Sequence, residues 1–222
     1  MSKNGNQNPA AVAAAIMERK TLKVLGSTSD LAQISPESAA KNNKIVLDSL
    51  KVAGWAPFHY ARGVDDLAEP WRAHVLWHKE SQSLAPKLSE WFQGMSPSNK
   101  LSKMMQACGA LVLVTWLPQF YGAEEKTEKQ FSMDEEHLMA ASAMVQNLLV
   151  LLTAHGMGTY WSSGGKLGSD FFFEQLGIPT SERLVAAVFV EYPDTLEDDR
   201  ERIPGKHRES RSNEWIKQIS LT

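Results

Sequence analysis

The chain has 222 residues, one cysteine, six histidines and a formal net charge of −3 at pH 7. Such a balance offers no basic field for nucleic acid or for an anionic membrane surface. A lone Cys108 excludes an internal disulfide and a thiolate metal cluster, and it fits a reducing, cytoplasmic setting.

The length suits one domain over residues 1–222, with residues 1–8 as a polar, frayed end. Asn8 caps a predicted helix with Pro9 at its first turn and an alanine-rich run to Met17. The stretch from Gly26 to Ser38 lacks periodicity and reads as a loop. Apolar residues at Ile45, Val46, Leu50 and Val52 predict an amphipathic helix over 43–55, ending before Pro57. Residues 61–69 read as a surface insertion. A strand is expected over 72–78, then two short helices near 84–93 and 97–107.

Ala110 to Leu117 is continuous and β-branched, as a strand covered on both faces should be. It is far short of the roughly 20 residues a membrane span requires, so no membrane partner is expected. A long helix follows from Met133 to His155, with Ser132 and Glu135 as capping box and Gly156 as a left-handed stop. Its apolar residues cover most of its circumference, so it must be buried in a core or a dimer seam, with Leu148 on that seam. The pattern then predicts a strand over 157–161, a helix over 170–176, a strand over 184–192 and a short amphipathic helix over 212–219. Regular βαβ alternation is absent, which points to an α+β fold.

The side chains offer no GxSxG elbow, HExxH pair, Walker loop or GxGxxG turn. Only His74 and His78 approach ligand spacing, and no third ligand stands near, so no metal is expected. Hard chemistry must then come from a cofactor. Three segments suit a flat cofactor with a terminal phosphate. Arg19-Lys20-Thr21-Leu22-Lys23 offers three cations and a hydroxyl. Ala56-Pro57-Phe58-His59 and Glu69-Pro70-Trp71-Arg72 are proline-stiffened turns with extended backbone. The segment from Gly156 to Gly165 has small residues that let a ring approach the main chain.

Taken in order, these segments resemble the nitroreductase family from about Ile16 to the tail. Arg19 to Lys23 is similar to its Arg-Arg-Ser-x-Arg/Lys motif, and Ala56-Pro57 with Pro70-Trp71 to its "Ala-Pro-Ser…Gln-Pro-Trp" box. Gln146-Asn147, Gly156-Met157-Gly158-Thr159 and Leu176-Gly177-Ile178-Pro179 resemble its later signatures. Phe58 and His59 stand where serines are usual, and Glu69 where Gln is common. The resemblance implies a mainly antiparallel sheet flanked by helices, a long central helix, and a tail wrapping the partner of a homodimer. It also implies FMN, with Arg19, Lys20, Thr21 and one of Lys206, Arg208 or Arg211 at its phosphate and Lys23 near N1 and O2. Backbone amides of Ser163 and Gly164, beside Gly165, would face N5 and O4, and Pro57, Phe58 and His59 would come from the partner subunit. The implied activity is ping-pong electron transfer from NAD(P)H to a nitroaromatic, quinone or similar small acceptor, without a catalytic side chain. Dehalogenation or dehydrogenation on the same fold, and flavin binding without turnover, stay open.

Overall fold

In the computed structural model the described residues are 8–26, 33–96, 98–120, 125–196 and 199–220; residues 1–7, half of the expected loop after Gly26 and Pro97 lie outside them. Helix α1 (Pro9–Glu18) is capped as expected by the Asn8 side chain, which accepts from the amides of Ala10 and Ala11. Strand β1 (Leu22–Leu25) follows. Helix α2 (Pro36–Ala53) starts seven residues before the predicted helix. Ser35 caps it, Pro36 opens it and Glu37 complements its dipole, signals that outweigh the missing apolar period. Strand β2 (Trp71–Trp77) leads into three short helices where two were expected: α3 (His78–Leu84), α4 (Lys87–Trp91) and α5 (Lys100–Ala107).

Strand β3 (Ala110–Trp116) precedes the 27-residue helix α6 (Glu128–Ala154). The helix starts five residues before Met133, because the capping box is Thr127 with Gln130 rather than Ser132 with Glu135. Strand β4 (Gly158–Ser162), helix α7 (Asp170–Leu176) and strand β5 (Arg183–Glu191) match the sequence pattern closely. Strand β6 (Glu201–Pro204) was not foreseen, and the expected helix over 212–219 is irregular chain with one turn.

Strands β2, β3, β5 and β4 form one antiparallel sheet in that order. On one face, Val112, Val114, Ala186, Val188 and Val190 pack on Met144, Val145, Leu148 and Leu152 of α6 and Val46 of α2. On the other, Leu111, Leu113, Ala187 and Phe189 meet Leu84, Met104, Met105, Phe172 and Phe173. Both faces are therefore covered, which explains the unbroken apolar run of β3. Strands β1 and β6 form a separate antiparallel pair, tied to the larger sheet by a parallel bridge between Thr21 and Thr159.

Helix α6 is long and apolar enough to cross a membrane, which the short run at 110–117 did not suggest: its mean hydropathy reaches 1.5 over 18 residues. Its buried polar side chains bond to the chain's own loops. Asp134 accepts from the Gln119 amide at 2.7 Å, and His137 Nε2 meets the Tyr60 carbonyl at 3.0 Å. These contacts and its packing on the sheet make α6 the core helix. Leu148 is 0 % exposed within one chain, so it belongs to that core and not to a seam between chains. The exposed apolar residues of α6 are Phe131, Leu138 and Met139.

Residues 61–69 are tied down rather than free. Arg62 donates to the carbonyls of Leu117 and Pro118, and Arg72 to that of Val64. Asp65 and Asp66 both adopt positive φ, the conformation a tight turn needs and short polar side chains tolerate.

At the junction of α5 and β3, a Cβ on Gly109 would stand 2.6 Å from the ring of buried Tyr192. That ring cannot swing away freely, because its hydroxyl donates to Asn43 Oδ1 at 2.5 Å. Gly109→Ala should therefore cost on the order of 1–3 kcal/mol, the usual result of overpacking. A urea midpoint unchanged from wild type would show that the core yields there.

Candidate functional site

The basic motif is placed by the β1–β6 pair. After α1 the chain turns extended at Arg19, Thr21 bridges to β4, and Leu22 pairs with Pro204. The Gly205 amide then donates to the Thr21 carbonyl at 3.1 Å. A Cβ on Gly205 would lie 3.0 Å from that of Thr21, so the absence of a side chain at 205 lets the tail cross the motif closely.

Between the two segments lies a cleft of about 370 Å³, lined by Arg19, Lys20 and Thr21 from the motif and by Lys206, His207, Arg208 and Arg211 from the tail. Its one lining acid is Glu209, whose side chain is 94 % exposed. The Arg208 guanidinium donates to the carbonyls of Arg19, at 2.9 Å, and Met17. Burial, then the nearby Arg211 and Arg208, lower the pKa of Arg19, while the exposed Glu209 stands 4.0 Å from Arg208 Nε.

Lys23 leaves this cleft along β1. Its Nζ stands 4.6 Å from the centre of the Tyr160 ring on β4, a cation–π contact. Three residues beyond Tyr160 the main chain reaches Ser163, Gly164 and Gly165. Gly164 has φ +82°, and a Cβ there would meet Leu184 Cδ2 at 2.2 Å, so glycine is required. Its amide donates to Ser162 Oγ at 3.1 Å, so of the two amides expected to face a ligand this one is already engaged. Gly165, at φ +54°, has nothing within 4 Å of where a Cβ would stand: its main chain faces open space.

Pro57, Phe58 and His59 are not brought to this place. They line a different cleft of about 400 Å³ with Glu136, Met139, Ala140 and Ala143 of α6. Phe58 packs edge-on to Trp71 with ring centres 5.5 Å apart. Glu69 borders a third cavity of about 670 Å³, beside Trp55, Leu67 and Arg72.

Cys108 and the two histidines serve the fold. Cys108 is buried against Ser81, and burial lifts its thiol to a pKa of about 11, so it is no nucleophile at neutral pH. His74 and His78 do not pair. His74 Nε2 meets Glu182 Oε2 at 2.7 Å, where Thr115 also donates, while His78 opens α3 and burial lowers its pKa. Burial opposes ionisation of Glu182, but the bonds from His74 and Thr115 outweigh it and hold the carboxyl below its ordinary pKa. A depressed carboxyl stabilises the fold above its unfolded pKa of about 4.3 and loses that contribution as pH falls through the folded value. The stability gap between wild type and Glu182→Gln should therefore shrink below about pH 4. Urea titrations at pH 7 and pH 3.5 giving equal gaps would show that Glu182 ionisation is not linked to folding.

The sequence pattern missed Tyr160 as the partner of Lys23 and Gly205 as the crossing point. The basic run from Lys206 to Arg211 was legible, but not which of its residues would come close.

An antiparallel sheet with a long helix packed on one face, and a cationic cleft beside a separate two-stranded pair, defines an α+β architecture. The nitroreductase family profile matches residues 44–190, and the chain belongs to that family. It is 25 % identical over 165 residues to the Bacillus subtilis protein YfhC, which carries an NAD(P)H nitroreductase name, covering 74 % of this chain and 80 % of that one. The structure is similar to a nitroreductase-like family protein from Bacillus cereus, with TM-score 0.59 and 19 % identity over 95 % of this chain and 98 % of that one. It is also similar to a nitroreductase with bound FMN from Desulfitobacterium hafniense, with TM-score 0.56 and 14 % identity over 96 % and 100 % of the two chains.

Proposed function

We propose that the protein is an FMN-dependent oxidoreductase, acting as a homodimer on NAD(P)H and a nitroaromatic, quinone or similar small acceptor. The observation that carries this reading is the cleft of Arg19, Lys20, Thr21, Lys206 and Arg211, whose cations suit a terminal phosphate. The excess of cations over the one exposed acid, and the open main chain at Gly165, fit such a cofactor on both its phosphate side and its ring side. When bound, FMN would supply the electron transfer itself, taking a hydride from NAD(P)H and passing electrons to the acceptor.

The chain's own residues bind and orient. Arg19 and Lys20 neutralise a phosphate while the Thr21 hydroxyl donates to it. Lys23, held over Tyr160, brings a fixed positive charge toward the ring side, where it favours a reduced, more negative cofactor. Ser163 and Gly165 offer main chain at close range, and the engaged Gly164 amide fixes the loop through Ser162.

In this arrangement the Pro57 to His59 turn serves the flavin site of the partner subunit, since its own chain places it in a different cleft. Helix α1 supports the dimer: Val12, Ile16 and Met17 are exposed, and none of its residues is buried in its own chain. Apolar surface of that kind marks an interface.

Purified protein should be yellow, or take up added FMN in preference to FAD, and NAD(P)H should bleach it anaerobically. Protein that stays colourless with excess FMN would sink the reading. Bound FMN that NAD(P)H cannot reduce would move the protein to flavin binding without turnover.

A further inference from the structure

Within the proposed oxidoreductase reading, on which this step rests, we infer that Glu136 sets the class of acceptor: its carboxylate, at the cleft of the Pro57 to His59 turn, selects aromatic acceptors that carry a cationic nitrogen. Glu136, Met139, Ala140 and Ala143 stand at i, i+3, i+4 and i+7 on α6, so they share one helix face. That face forms one wall of the cleft of about 400 Å³, within the usual range of about 300–1,000 Å³ for small-molecule sites. The two alanines leave the space open, and the turn forms the other wall. The turn is held in place by the edge-on contact of Phe58 with Trp71 and by His137 Nε2, which donates to the Tyr60 carbonyl. A fixed turn on a core helix makes a cleft that is formed before a ligand arrives.

No structural task explains the carboxylate. Among the described residues Glu136 has no hydrogen bond or ion pair, and its Oε2 is closed off from solvent, which leaves Oε1 to meet a ligand. Its helix neighbours at three and four residues are Ser132, Met133, Met139 and Ala140, none of them a cation. Glu136 also lies beyond the first turn of α6, outside the reach of the helix dipole. Asp134, two residues earlier, is by contrast answered by the Gln119 amide and by Lys126 Nζ at 2.9 Å. No lysine or arginine lines the cleft, so a carboxylate partly withdrawn from water there lacks a positive partner. An aromatic acceptor with an ammonium or amidinium group supplies one. Its ring meets Met139 and the alanines, its cation meets Glu136, and the aromatic Phe58 on the facing wall favours the same charge.

The test compares 4-nitrobenzylamine, a cation at neutral pH, with 4-nitrobenzoate, an anion of similar size, by kcat/KM in NAD(P)H-driven reduction by the flavin-loaded protein. Wild type should favour the cation, and Glu136→Gln, nearly the same in shape, should lower that preference roughly tenfold or more. Glu136→Lys should reverse it. Benzylamine has no nitro group to reduce and gives a readout apart from turnover: by calorimetry its dissociation constant should rise roughly tenfold in Glu136→Gln. A wild type that favours neither compound, or a folded Glu136→Gln with the wild-type preference, would overturn the proposal while the oxidoreductase reading stands. A dimer that loosens in Glu136→Gln with its preference unchanged would assign the carboxylate to a cation of the second chain, and would overturn it too. Benzylamine binding that depends on Glu136, in a protein that reduces neither nitro compound, would instead bring down the oxidoreductase reading and keep the cation site.

Discussion

An Arg19→Ala variant should leave purification nearly stripped of flavin, with FMN affinity down roughly 10- to 150-fold, the worth of one charged hydrogen bond of about 1.5–3 kcal/mol. Arg19 sits inside the cationic cleft, partly buried, where solvent screens its charge less than that of an exposed arginine. Any flavin that still binds should keep its reduction potential, because the proposed site puts this residue on the phosphate side. Lys23→Met should show the opposite pattern. Its ammonium is held over Tyr160 on the strand that leads to Ser163 and Gly165. Its loss should lower the potential of bound flavin by about 30 mV for each 1.4 kcal/mol of lost charge stabilisation, and slow reduction by NAD(P)H. Potentiometry and binding titration on both variants decide the matter. Loss of affinity without change of potential in both would remove the ring role assigned to Lys23.

The parts of this fold that were legible are those in which local pattern and tertiary environment agree. Helix α7 combines a Ser169 cap, a run of phenylalanines and a left-handed Gly177, and its bounds were read without error. Strand β3 was legible because both its faces are covered. The small sheet was not: β1 and β6 have four residues each, and Leu22 pairs with Pro204 from the far end of the chain. No local period announces such a pair, and with it went the reason that the tail reaches the motif. Helix periodicity alone also could not assign faces of α6. Leu148 and Met139 both lie in an apolar helix, yet one is sealed in the chain's core and the other faces outward. The candidate site was legible as a set of residue types, since Arg19, Lys20 and Thr21 do meet Lys206, Arg208 and Arg211. The use of Arg208 on carbonyls and of the Gly164 amide on Ser162 depends on side-chain geometry, which sequence spacing does not encode.

Met139→Glu should split the proposed dimer while leaving the fold of each chain intact, and the flavin should leave with the partner. Met139 is 62 % exposed on α6 and lines the cleft that holds Pro57, Phe58 and His59. Phe131 and Leu138 are exposed on the same helix, and the apolar face of α1 is also uncovered. A carboxylate at 139 would enter that surface beside Glu136, one turn away, so like charge adds to the cost of burial in an interface. In the separate chain it would simply be solvated. Leu148→Glu is the control with a different outcome. Leu148 is enclosed by sheet and helix within one chain, and an unpaired charge there should unfold the protein rather than divide it. Light scattering with circular dichroism separates the two cases. Met139→Glu should give a folded monomer with little FMN, because the turn at Pro57 to His59 would no longer close the neighbouring site. A folded Met139→Glu monomer that keeps its full flavin would show that each chain builds its site alone; a dimer unaffected by the substitution would place the interface elsewhere.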